Sequence, residues 1–341
     1  MKKIKREIKL LYTFIIVFIV CAFLLLFNIV LILGNSTKTV ENNNFEEAST
    51  SVVNIQAYSG NTLNKQGSGF IYKIENDKAY ILTNNHVVDN TNNIKILITE
   101  DISVEATLLG QDKYLDVAVL TIQNNKYKAL KLNKKNNLKI GDTVYTIGTP
   151  IDKEFFNTTS SGIISKTSRL RVETNANEDI LMDMIQTDII TNPGNSGGPL
   201  LNEKIEVIGI CTSIIETNNI SGISFAVPMT HIINKLPELE TKGYVSERKI
   251  SNIKVVDVKD GEALYKEDLI DLTKESYGVV VLTNDKETSL KKGDIILEID
   301  DNKIKDYSYY KHYLNIYAKG TEVSLTIKRN DKIKVTTVTL K

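Results

Sequence analysis

The sequence predicts a mainly β chain: an antiparallel barrel or sandwich system, preceded by one membrane-spanning helix and followed by a small α+β module. Three observations predict it. Short β-type runs follow one another from Ser51 to about Pro228, separated by Gly, Asn and Asp clusters. A helical period appears only later, near the carboxyl end. An uncharged apolar stretch stands close to the amino end. At 341 residues the chain suits two domains with accessory segments.

The amino end comes first. Leu10 to Leu33 carries no charge and is almost wholly Leu, Ile, Val and Phe, with Asn28 as its polar interruption. As a helix it extends about 36 Å, enough to cross a hydrocarbon core of about 30 Å with some tilt. A cleaved signal peptide is the competing reading, but its apolar region runs only about 7 to 15 residues and ends in a small-residue cleavage site. Here the run is longer and leads into Gly34, Asn35 and Ser36. Lys2, Lys3, Lys5, Arg6 and Lys9 precede it, so residues 1–9 are expected in the cytoplasm and everything after residue 33 outside. The lipid bilayer is therefore an expected partner through residues 10–33. Residues 34–50 are polar and Asn-rich, which reads as a tether in which Phe45 alone has something to dock.

The body, 51–236, alternates strand and turn through runs such as SVVNIQAY, GFIYKI, AYILTNN, DVAVLTI, DTVYTIG, DMIQTDI and EVIGICTSI. A parallel α/β fold is disfavoured, because helices do not alternate with these strands. After His231 the chain turns polar, predicting a short helix and a linker over 237–250. In 251–341, YGVVVL and GDIILEID read as strands. YSYYKHYLNIYAKG reads as a helix with Tyr309, Tyr313 and Tyr317 four apart, and TEVSLTIKR as the closing strand.

Composition excludes several classes. Lys plus Arg and Asp plus Glu are each 42, so no net charge draws the chain to nucleic acid. The two cysteines, Cys21 and Cys211, are placed where no disulfide is expected. Three histidines (His86, His231, His312), with neither CxxC nor HExxH spacing, point to no metal site, and no cofactor is expected.

The sharpest local signal is NPGNSGGPL, Asn192 to Leu200. Glycines around Ser196 let the backbone turn tightly, and the amides at Gly194 and Ser196 can converge on a developing oxyanion, each such donor being worth roughly 10² to 10³ in rate. A glycine-rich hairpin loop is the plainer reading of the same residues. A nucleophilic serine needs a base, and His86 stands where a strand ends in a Thr/Asn-rich corner. The base needs an orienting carboxylate. Asp116 opens an apolar strand and would be drawn inward, where an imidazole compensates its burial; Asp112 is the less buried alternative. GNSGG also fits the elbow of α/β-hydrolases, but that elbow sits between strand and helix with its acid and histidine downstream. Here the strand-like KIEVIGI follows instead. His231 and His312 read as structural or exposed, and Cys211 as a small core residue.

The order His, Asp, Ser is that of trypsin-like folds, and TNNHVV, LDVAVL, QTDIITNPGNSGGPL and GISFAVP resemble the HtrA (Deg) family of trypsin-like proteases from about Ser51 to Leu236. The resemblance implies a trypsin-like double β-barrel of two perpendicular six-stranded barrels. It implies a Ser-His-Asp triad in the cleft, with His86 as general base, Asp116 as its orienting partner and Ser196 as nucleophile. Gly194, Asn195 and Ser196 would form the oxyanion loop. It also implies a homotrimer built partly near Val52. By the same fold logic Ile190 is expected near the floor of the S1 pocket, with Ile223, Ser224, Phe225 and Ala226 as its wall. With no acid there, cleavage should follow small or medium aliphatic residues. SLKKGDIILEID with the helix and strand after it resembles part of a PDZ domain, which binds a peptide at a sheet edge. The loop expected to capture a terminal carboxylate, ERKISNIKVV, lacks the usual glycine. The expected function is a membrane-anchored endopeptidase acting outside the cytoplasm on unfolded or extended polypeptides, in quality control or stress signalling. The alternative is a peptide-binding sensor with a resting protease domain.

Overall fold

The computed structural model describes residues 44–341 apart from 100–101, 124–126, 136, 151–152, 176–177 and 213–221. The predicted membrane span, with the basic segment before it, lies outside the described residues. Among the described residues no helix is long and apolar enough to cross a membrane.

A short helix α1 (Phe45–Ser49) leads into β1 (Val52–Ser59), β2 (Thr62–Glu75) and β3 (Lys78–Thr83). A single helical turn α2 (Asn85–Val88) is followed by β4 (Asn93–Leu97), β5 (Ser103–Asp112) and β6 (Val117–Gln123). These strands close a six-stranded barrel in the order β1-β2-β3-β6-β5-β4. Closure leaves no free sheet edge to aggregate. Strands here are apolar on both faces for a reason. In β6, Ala118, Leu120 and Ile122 fill this barrel, while Val117 and Val119 join a second cluster with Ile147, Met184, Ile210 and Phe225 of the next sheet. Period-2 alternation is therefore masked by burial on both sides.

The second sheet contains β7 (Lys131–Leu132), β8 (Thr143–Gly148), β9 (Thr158–Asn175), β10 (Glu178–Thr187), β11 (Pro199–Leu201), β12 (Glu206–Thr212) and β13 (Ser224–Pro228). Its order is β11-β8-β9-β10-β13-β12-β7, and a further β11–β12 pairing closes six of the seven into a ring. β7 adds to β12 in parallel as a seventh strand beyond the six expected. Two one- to two-turn helices follow, α3 (Met229–Ile232) and α4 (Leu236–Lys242), the latter ending on Gly243 at φ 84°. Glycine there carries the left-handed cap without a Cβ penalty.

The terminal module holds β14 (Val255–Asp257), α5 (Gly261–Lys266), β15 (Val279–Val281), β16 (Ile295–Ile299), β17 (Asn302–Lys303), α6 (Tyr307–Ile316), β18 (Glu322–Arg329) and β19 (Lys332–Thr339). Its sheet runs β14-β15-β16-β18-β19 with β17 beside β16. Asp306 caps α6 by accepting from the Ser308 and Tyr309 amides, and Tyr310 and Leu314 enter the core.

Three expectations need correction. Phe45–Ser49, read as the end of a tether, is helical, and the Phe45 ring lies 4.6 Å from that of Tyr145. The segment 237–250, read as linker, begins within α4, whose Leu239 is buried, and ends at buried Ile250, bridged to Leu340. The run TEVSLTIKR is not the closing strand: Asn330 and Asp331, at φ 49° and 59°, make a two-residue hairpin turn into β19.

Candidate active site

β3 delivers the histidine. The strand ends at Thr83, and α2 sets His86 in a partly exposed position, its side chain 35% accessible while that of Asp116 is 5% accessible. Asp116 sits in the turn before β6 at φ 48°, a left-handed conformation that aspartate tolerates better than most residues. Its carboxylate grips the histidine twice. Oδ2 lies 2.8 Å from His86 Nδ1, and Oδ1 accepts the His86 backbone N–H at 2.9 Å. Thr212 Oγ1 donates to Oδ2 at 3.4 Å, and Asn84 Nδ2 holds the Asp116 carbonyl at 2.9 Å. Asp112 is directed elsewhere. It accepts the Tyr114 and Leu115 amides at 2.7 and 3.4 Å, and burial raises its pKa above the ordinary carboxylate value.

Ser196 is buried in the loop between β10 and β11. Ahead of it, Asn195 N–H donates to the Asn192 carbonyl at 3.0 Å, closing a four-residue turn with Pro193 and Gly194 at its centre. Gly194 has φ 102°. Proline first and a positive-φ glycine second define a type II turn, in which the central peptide is flipped relative to type I. Gly197 is equally constrained: at φ 87° an added Cβ would stand 2.1 Å from the Ser68 carbonyl oxygen. Cys211 of β12 clamps the loop's far side, accepting from Gly197 N–H and donating to the Gly198 carbonyl, each at 2.9 Å. Its thiol lies 3.2 Å from Thr146 Oγ1, and burial pushes its pKa up to about 11.

Sequence reasoning missed Ser68, which joins the two barrels at this loop. Its N–H donates to the Ser196 carbonyl at 2.7 Å. Its hydroxyl donates to the Gly194 carbonyl at 2.6 Å and accepts Thr149 N–H at 3.0 Å, while its carbonyl accepts Thr83 Oγ1 at 2.7 Å. The available signal was the Gly67-Ser68-Gly69 run inside an apolar strand, where glycine marks close backbone approach. A Cβ on Gly67 would fall 2.9 Å from the Ser196 carbonyl oxygen.

Of the predicted pocket residues, Ser224, Phe225 and Ala226 are buried in β13. Ile190 and Ile223 are exposed, at 60% and 40%, so Ile190 is not enclosed as a floor would be. Its neighbour Thr191 is the residue tied to the wall, with Oγ1 2.8 Å from Ser224 Oγ, which in turn donates to the Ile189 carbonyl at 2.5 Å. Against Phe225 lies a cation, the Arg171 guanidinium, 5.0 Å from the ring centroid. Among the described residues no group of His, Cys, Asp and Glu is arranged to hold a metal ion.

The chain is similar to known proteins over most of its described length. Residues 67–210 match the trypsin-like peptidase domain and residues 246–340 the PDZ domain. The chain is 32% identical over 296 residues to the serine protease Do-like HtrA of Lactococcus lactis subsp. cremoris (strain MG1363), covering 83% of this chain and 72% of that one. It is 34% identical over 284 residues to the serine protease Do-like HtrA of Bacillus subtilis (strain 168), covering 80% and 63%. The match to a serine protease HtrA-like protein of Staphylococcus epidermidis is 33% over 292 residues, covering 78% of this chain and 49% of the relative, so the chain spans about half that relative's length. Among solved structures, the HtrA-type protease AlgW with tripeptide superposes with a TM-score of 0.62 at 27% identity, covering 88% of this chain and 97% of that one. The serine endoprotease from Yersinia pestis gives 0.56 at 26%, with the same coverages.

Proposed function

The chain belongs to the HtrA family of serine proteases, and from that premise we propose that it is a serine endopeptidase cutting unfolded or extended polypeptides outside the cytoplasmic membrane. The observation that carries the reading is the double hydrogen bond of Asp116 onto His86. With Nδ1–H donating to the carboxylate, the imidazole keeps the tautomer whose Nε2 accepts a proton. Ser196 attacks the scissile carbonyl as His86 takes its proton, and the carboxylate steadies the imidazolium. The proton then passes to the leaving amine, and water activated by the same histidine releases the acyl group. The Gly194 and Ser196 amides stabilise the oxyanion, Asn195 shaping the turn between them. The type II turn supports this over the sensor reading. In type I form the Gly194 N–H would turn to the opposite face, and the oxyanion would lose a donor.

Ile190, Ile223, Ser224, Phe225 and Ala226, with Thr191 beside them, bound the S1 crevice in this reading. An apolar wall backed by Arg171 gives a substrate Lys or Arg no counter-charge, so cuts should follow Val, Ala or Ile. The terminal module takes extended segments at a sheet edge rather than a terminal carboxylate. Ser251, in the loop expected to bind one, donates its hydroxyl toward Asp285 at 3.1 Å and Glu287 at 3.2 Å, two carboxylates that repel a third. Residues 10–33 anchor the chain in the bilayer with the amino terminus inside, and assembly is as a homotrimer.

The test is digestion of unfolded β-casein by the detergent-solubilised full chain, wild type beside Ser196→Ala, with cut sites read by mass spectrometry. Cuts after aliphatic residues that vanish in the variant support the proposal. Cuts after Lys or Arg overturn the pocket, and an inert wild type favours the sensor.

A further inference from the structure

The two histidines outside the candidate triad face each other across the boundary between the second barrel and the terminal module. His231, on α3, and His312, on α6, have ring centroids 6.4 Å apart at 75°. His312 is 7% exposed, and its Nε2 has no hydrogen-bond partner among the described residues. A buried, unpartnered imidazole nitrogen is a cost that a purely structural position would avoid.

Charged and polar groups reach the pair from several elements. From α6 itself Tyr313 stacks edge-on against His312 at 5.0 Å. From β10, Asp183 acts on His312 electrostatically and is held by Ser168 Oγ at 2.7 Å, and the Leu181 backbone is hydrogen-bonded to the imidazole. From the segment after α3 comes Lys235, wholly buried, whose ammonium donates to the Tyr317 carbonyl just beyond α6. Asp112, Arg248 and Glu238 surround that lysine. A cavity of about 230 Å³ lined by Tyr114, Leu115, Leu181, Lys311 and His312 lies alongside, large enough to bring water to the imidazole.

We propose that His231 and His312 form an acid-released latch: protonation of the pair drives α6, and the terminal module with it, off the second barrel. Two imidazolium ions at this spacing repel each other and the Lys235 ammonium, and their burial strengthens that repulsion over its value in bulk water. Among the described residues Asp183 is the carboxylate that acts on His312. Burial raises its own pKa, while a charged His312 acts to lower it.

The direction follows from linkage. Burial, reinforced by like charge, pushes both docked histidines down to about 4. Released into water, each returns to about 6.5. The released state therefore binds more protons. Docking is at full strength above pH 6.5 and weakens as the pH falls toward 4, by about 30-fold at pH 5 for each histidine freed.

Hydrogen exchange of the full chain in detergent tests this, in a Ser196→Ala background so that the result does not depend on proteolysis. Peptides from α6 are compared with β1–β2 peptides of the same sample, at pH 7.5 and pH 5. The expected result is an acid-induced rise in α6 exchange of at least tenfold over the reference, abolished in His231→Gln/His312→Gln. No rise in the wild type, or the same rise in the double variant, overturns the latch. Should the double variant not fold, wild-type histidine NMR decides it. With three histidines in the chain, each signal can be followed singly. Two signals that stay neutral until α6 loosens support the latch; ordinary titration with α6 still protected overturns it.

Discussion

At the seam between the barrels the contacts are main-chain and hydroxyl: Ser68 N–H on the Ser196 carbonyl, Ser68 Oγ on the Gly194 carbonyl, Thr149 N–H on Ser68 Oγ. At the seam between the barrels and the terminal module they are ionisable: Lys235 on the Tyr317 carbonyl and His231 against His312, with Lys311 on the Tyr114 hydroxyl of the first barrel at 3.1 Å. None of the first group changes charge between pH 4 and 9, whereas in the second burial brings Lys235 down to about 8 and the two histidines to about 4. The first seam is thus fixed by shape and the second is adjustable by solution conditions. Both converge on one stretch of chain, since Tyr114 and Leu115 of the second seam precede Asp116 of the candidate triad.

Several variants would break or sharpen this contrast. Ser196→Ala should lower kcat by about 10⁶ with no change in thermal stability, as read by casein cleavage and calorimetry. Asp116→Asn should cost about 10⁴ in kcat, because the amide presents the wrong partner to His86 Nδ1 while leaving its packing intact. Ser68→Ala separates the seams most directly. It strands the Gly194 carbonyl and Thr149 N–H at about 1 to 3 kcal/mol, so kcat should fall about 10- to 100-fold while α6 exchange stays unchanged. Lys235→Met should do the reverse. Removing a buried ammonium and its bond to Tyr317 loosens α6 in hydrogen exchange, yet cleavage of a short peptide should change by less than about threefold, in line with a net worth near 1 kcal/mol.

Much of this was legible in the sequence because it depended on local pattern. The strand runs of 51–228 and the helix at Tyr307–Ile316 follow from turn residues and apolar spacing, and the His-Asp-Ser order pointed to residues 86 and 116, which are in contact. What escaped was set by partners distant in sequence. Phe45–Ser49 is too short to be stable alone and is held by Tyr145, a hundred positions on. Ser68 looks like any strand serine until β2 is laid against the loop of Ser196. Ile190 was placed by counting back from the serine, a rule that says nothing of Thr191, whose hydroxyl is the one tied to Ser224 at 2.8 Å. The last strand was lost because Lys332, Ile333, Lys334 and Val335 are all exposed and show no buried face.

Cys211 carries a consequence of another kind. Its sulfur is sealed behind the loop of Ser196, with Cys21 as the chain's other thiol. In a Cys21→Ser chain, an alkylating reagent finds no sulfur until β12 parts from β11 and the loop. The rate at which label accumulates is then a stopwatch on the opening of the second barrel, built into the protein and readable without a substrate.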